Sequence, residues 1–184
     1  MARKINISGG GKKVISNVIW NMIASFLATA VLQLCVHPLL AKFYDDVAYG
    51  NILLIVGILN VIILTIGNAL GDIRLTEDGE YKCEGVIGDF NILLIMGCAI
   101  SALAMAVVVI SYKDIVASNF ISVIVSLPLV CVFGVLHSYL SALFRLKLFF
   151  KQSLVLSIFS VLGYLVGIGL TYITDIWTLP FLLS

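Results

Sequence analysis

Charge is scarce in this sequence. Of 184 residues only 11% are Asp, Glu, Lys or Arg, less than half of the roughly 25% usual in a soluble domain, which excludes an ordinary water-facing globule. Catalytic signatures are missing too. His37 and His137 stand alone with no HExxH, no GxSxG occurs, and Asp45-Asp46 lacks the further acids of a magnesium site. None of the four cysteines (Cys35, Cys83, Cys98, Cys131) pairs at CxxC spacing, so neither a disulfide framework nor a zinc site is indicated and small apolar filling is their expected role. SGGGKK near the start lacks the leading glycine, the Ser or Thr after Lys and the preceding strand of a phosphate loop. The expectation is a protein that is not an enzyme and has no metal or other cofactor. A net charge of +1 points to no particular partner, and no nucleic acid is expected.

What the chain has in abundance is apolar length. Hydrophobic residues make up 61% of it, and uncharged runs cover 14–41, 47–71, 90–112, 115–144 and 152–174. Each run reaches the roughly 20 residues needed to cross hydrocarbon as a helix. The predicted fold class is all-α: a polytopic transmembrane bundle with spans over 14–41, 48–71, 89–112, 115–144 and 152–174, and the start of a sixth over 176–184, which is too short to cross and reads as a truncated span. Residues 1–13 form a polar leader, and 14–184 a single bundle. The first run resembles a signal peptide with Ala28-Thr29-Ala30 as cleavage site, but four more spans follow and Asn17 and Asn21 dilute it, so it reads as an uncleaved span.

The cations set an orientation. Arg3, Lys4, Lys12 and Lys13, then Arg74 and Lys82, then Arg145, Lys147 and Lys151 fall on one side, while Lys42 and Lys113 alone lie opposite. The positive-inside rule then puts the N-terminus in the cytoplasm. Residues 72–88 become the longest inner loop, with a turn at Asp78-Gly79 and a mixed-charge, solvated surface.

Polar residues recur inside the spans. On span one Asn17, Asn21, Ser25, Thr29, Gln33 and His37 follow at steps of four, and each step displaces the next by about 40° around a regular helix. The row therefore spirals: any one member reads first as a hydrogen bond across helices, the Asn17 and Asn21 pair as facing a polar cavity, and Gln33 and His37 as facing a neighbouring helix or the outer interface. Two amides side by side in hydrocarbon demand partners or water. Span one closes near Pro38, and Pro128 removes one backbone hydrogen bond from span four. On span five Ser153, Ser157, Ser160, Tyr164, Gly167 and Thr171 share a face with Gly163, which reads first as close helix packing and second as a pathway lining. The two histidines read as satisfied interior residues.

The stretches HPLLAKFYDDVAYGNILLIVGILNVIILTIGNALGDIRL (37–75), DFNILL (89–94) and YLSALFRLKLFFKQSLVLSIFSVLGYLVGIGL (139–170) resemble the amino-terminal half of polysaccharide flippases of the multidrug, oligosaccharidyl-lipid and polysaccharide exporter superfamily. The resemblance implies carriage of a lipid-linked oligosaccharide across the cytoplasmic membrane during surface polysaccharide assembly. Arg74 and Arg145 would receive the anionic diphosphate, although basic inner loops also serve topology alone. The chain departs from that plan in offering one bundle where the family has two, so the expectation is that it does not flip cargo by itself, exposes an unfinished polar edge including the seam on span five, and pairs with itself or a second bundle. The alternatives are a cation-coupled multidrug exporter, which would want an acid within its spans where this chain places none, and a non-transporting subunit or inert truncated product.

Overall fold

The computed structural model of the chain describes residues 16, 19, 20, 22, 23, 26–84, 87–113, 120–146 and 150–184, with side chains outside the description at 75, 77–84, 87, 88, 145, 146 and 150. It is an all-α membrane bundle, and five helices are long and apolar enough to cross a bilayer: Phe26–Phe43, Asp46–Arg74, Asp89–Ser111, Phe120–Phe144 and Lys151–Thr174. Helix α1, described over 26–31, passes through a π turn at Leu32–Val36 into α2 (His37–Phe43). Then come α3 (Asp46–Glu84), α4 (Ile87–Ser111), α5 (Phe120–Leu146), α6 (Phe150–Thr174) and the short α7 (Leu179–Leu183).

The π turn has a local cause. Pro38 has no N–H and its ring would press on the carbonyl of Leu34 in a regular helix. Widening the preceding turn relieves that contact, and the His37 N–H donates to the Leu32 carbonyl instead. The first span thus continues past Pro38 to Phe43, two residues beyond the expected bound at 41, and its polar row no longer follows a constant 40° step. Asn17, Asn21 and Ser25 lie outside the described residues; Gln33 is exposed and His37 half-buried.

Chain reversal is built from side chains. The Ala48 N–H donates to Asp45 Oδ1 at 2.9 Å, which caps the start of α3. Helix α3 then runs for 39 residues, about 58 Å at 1.5 Å per residue and nearly twice a hydrocarbon core of roughly 30 Å. The expected inner loop with a turn at Asp78-Gly79 is therefore helical as far as Glu84. Glu and Lys are good helix formers, and a single interior glycine costs only about 1 kcal/mol.

Helix α5 sits between α3 and α4, with α6 and α7 beside it and the π turn and α2 against α6 and α3. Lipid tails are as apolar as Leu, so burying hydrocarbon against hydrocarbon supplies little drive between spans and close approach of backbones must do more. Gly67 and Gly71, a GxxxG pair on α3, lie against Ser138 and Ala142 of α5; a Cβ on Gly67 would stand 2.7 Å from that of Ser138, and one on Gly71 2.8 Å from that of Ala142. The buried apolar core gathers toward the Tyr44 end, where Val36, Leu40, Ile55, Leu59, Met105, Val109 and Leu127 meet. Phe43 and Tyr172 stack there with ring centroids 5.6 Å apart.

After α6 the chain turns back at Asp175, whose φ of 57° is left-handed. Thr171 braces this turn, its hydroxyl donating to the carbonyls of Gly167 and Ile176 at 3.0 Å each. The returning segment lies directly on α6: Pro180 covers Gly167, Leu183 covers Gly163, and the Ser160 hydroxyl donates to the Ser184 carbonyl at 2.9 Å. Thr178 is fully buried and accepts a hydrogen bond from Ser126 at 2.8 Å. From Ser160 to Thr171 the small-residue seam on α6 is thus a packing surface occupied by residues 176–184, and the expected exposed edge at that seam is absent: Ser153, Ser157, Ser160 and Thr171 are all buried.

Candidate functional site

Below the apolar core, from mid-span toward the Arg74 end, the helices border a partly open cavity of about 360 Å³. Helix α5 supplies Phe133, His137, Ser138 and Ser141, which one helical face presents because they recur at steps of three and four. Asn60 comes from α3, Ser160 and Tyr164 from α6, Phe181 and Ser184 from the returning segment, and Ala28 from α1. The lining mixes hydroxyls, one carboxamide, one imidazole and aromatic rings, and none of its residues is Asp, Glu, Lys or Arg.

Hydrogen bonding sorts these groups. Ser138 donates to Asn68 Oδ1 at 3.2 Å, across the same α3–α5 seam that the glycines tighten. Among the described residues Nε2 of His137 is buried with no partner, and so is Nδ1 of His37 nearer the other end, so neither histidine finds there the full set of partners expected of a satisfied interior residue. Asn60 lies midway along the Asp46–Arg74 span, is exposed to the cavity side, and makes no hydrogen bond with another described residue. A carboxamide carries two donors and two acceptor lone pairs, and leaving such a group unpaired in hydrocarbon costs several kcal/mol. Water or a ligand in the cavity removes that cost. Asn60 is the residue that reading the sequence passed over. Its signal is there, as the single amide in the run ILLIVGILNVIILTIG.

The residues expected to form a site fall elsewhere or outside the description. Asn17 and Asn21 are among the undescribed residues. Arg145 belongs to the last turn of α5, one turn beyond Ser141, and its side chain lies outside the description. Arg74 is buried and its guanidinium sits 4.3 Å from the centroid of the Phe90 ring, joining α3 to α4 by a cation–π contact. It is not among the cavity-lining residues. Among the described residues no three His, Cys, Asp or Glu side chains are grouped to hold a metal ion.

The opposite end of the bundle is closed by different chemistry. Tyr44 ends α2 half-buried, its hydroxyl without a well-formed hydrogen bond but beside the Asp175 carboxylate. Burial first, and then that acceptor and its negative charge, push the phenol well above its ordinary pKa. The neutral phenol, the Phe43–Tyr172 stack and the braced turn at Asp175 fasten α2 to the α6–α7 turn.

Comparison with family models, with curated proteins and with solved structures finds no match. The chain is an all-α, multi-pass membrane protein with a largely apolar cavity among its spans, into whose wall the described residues bring several uncharged polar groups.

Proposed function

We propose that this protein carries a lipid-linked oligosaccharide across the cytoplasmic membrane for surface polysaccharide assembly, without making or breaking a bond in it. The observation that supports the reading is the cavity: hydrogen-bonding groups without formal charge, drawn from α3, α5 and α6 and held at membrane depth. A sugar stripped of water must pair its hydroxyls or lose several kcal/mol for each one left unpaired. Asn60, Ser138, Ser141 and Tyr164 offer donors and acceptors for that purpose, while a polyprenyl tail stays in the surrounding lipid. With the N-terminus cytoplasmic, as the cation distribution favours, the cavity lies in the inner half, where cargo made in the cytoplasm enters. Arg74 and Arg145 lie toward the same side and are the candidates for meeting the diphosphate. A cation-coupled drug exporter is the weaker reading, because coupling of that kind wants a carboxylate in the pathway and the lining has none.

Photolabelling tests this. A lipid-linked oligosaccharide with a photoreactive group on its terminal sugar, added to the chain in proteoliposomes, is expected to mark α5 between Phe133 and Ser141 or α3 near Asn60. Excess unlabelled glycolipid should suppress the mark. Labelling that the competitor leaves unchanged would defeat the proposal and favour a non-transporting membrane subunit.

A further inference from the structure

We infer that the cavity holds a single sugar unit without charge, anchored by the Asn60 carboxamide, and selects against sugars that carry a carboxylate. This rests on the glycolipid reading above and adds to it the class of sugar.

Three observations combine. The first is size: about 360 Å³ is the share of roughly a dozen waters, room for one pyranose ring with a few bridging waters. The second is the unpartnered amide. Asn60 faces the cavity at mid-span with no hydrogen bond to another described residue. A carboxamide is donor and acceptor together, as is each sugar hydroxyl, so adjacent hydroxyls on a ring can satisfy both halves of it. The third is the flanking surface. Phe133, Tyr164 and Phe181 line the same space, and aromatic rings suit the C–H face of a pyranose.

Selectivity follows from the missing countercharge. Among the described residues no Arg or Lys lines the cavity, so a uronic acid carboxylate would lose its water and meet no cation from them. The imidazole in the lining is that of His137, and its Nε2 is buried. Arg74 is engaged over Phe90 and is not in the lining.

The test compares three probes against the chain in nanodiscs at about pH 8, where an imidazole of ordinary pKa is neutral. The probes are polyprenyl diphosphate alone, the same lipid bearing a neutral hexose, and the same lipid bearing a hexuronic acid. The neutral glycolipid should bind at least about tenfold more tightly than the uronic acid form, the factor expected when a buried polar partner is lost. Asn60→Leu, a change that suits a lipid-facing helix, should erase the advantage of the neutral glycolipid over bare lipid, and Asn60→Gln should retain part of it. Equal binding of the two glycolipids, both tighter than bare lipid, would overturn this inference and leave the glycolipid reading standing. No preference of either glycolipid over bare lipid would overturn both. A full advantage in Asn60→Leu would remove Asn60 as the anchor.

Discussion

Replacing one glycine of α3 by alanine should have opposite consequences at two places on the same helix. At Gly57 nothing lies within 4 Å of an added Cβ, so Gly57→Ala gains the helix propensity of alanine, up to about 1 kcal/mol. At Gly67 the added Cβ would stand 2.7 Å from Ser138 Cβ, 2.9 Å from Ser138 Oγ and 3.6 Å from Val135 Cα. Carbon atoms rest about 3.5–4.0 Å apart, so the α3–α5 pair must part by about 1 Å or twist. Such overpacking costs about 1–3 kcal/mol. The propensity term is common to both variants, so their difference isolates the packing term: Gly67→Ala should fall below Gly57→Ala by about 1–3 kcal/mol. Reversible unfolding in mixed detergent micelles measures both. Combining Gly67→Ala with Ser138→Gly removes the opposing Cβ and should recover part of the loss, seen as a coupling energy in a double-mutant cycle. Equal stabilities within about 0.5 kcal/mol, with no coupling to Ser138→Gly, would refute the close approach of α3 and α5.

The orientation is checked at Cys83: a membrane-impermeant thiol reagent should reach it only after the cytoplasmic side is opened, and labelling in intact cells would reverse every side assignment. At Asp175, where φ is 57°, Asp175→Gly and Asp175→Val both lose the carboxylate beside Tyr44, and the Val variant should be less stable than the Gly variant by about 1–3 kcal/mol because a β-branched residue resists that conformation; equal melting of the two variants would show that the turn is not left-handed. Tyr44 has its phenol pKa raised by burial and by Asp175, so the folded state holds that proton more tightly than the unfolded chain does. The stability it contributes is complete below the unfolded value of about 10 and is lost as pH climbs above it. Tyr44→Phe should therefore show a shallower fall in unfolding midpoint between about pH 9 and about pH 11, and parallel curves for the two proteins would contradict the placement beside Asp175.

The five spans were legible from the order of residues alone, because crossing hydrocarbon is a question of uninterrupted apolar length and charges bound each run on both sides. Lys113 follows one span and Lys151 opens another, and the helices stop within a few residues of both. The seam of small residues on α6 was legible for a similar reason: its spacing of three and four puts Ser153, Ser157, Ser160, Gly167 and Thr171 on one face whatever covers them. What covers them was not legible. That face could have met lipid, another span or water, and only the left-handed turn at Asp175 lays residues 176–184 across it. The same holds for Gly67 and Gly71, which are indistinguishable in sequence from a lipid-facing pair until Ser138 and Ala142 stand opposite. In water a buried face announces itself by being apolar; in a membrane both faces are apolar, so periodicity says little about which one packs. The π turn ahead of Pro38 and the continuation of α3 to Glu84 depend on local backbone strain and helix propensity, which compete with the turn signal at Asp78-Gly79 too closely for residue order to decide. The cavity is the most tertiary feature of all: Asn60, His137 and Tyr164 are far apart along the chain, and only the packing of α3, α5 and α6 makes them walls of one space.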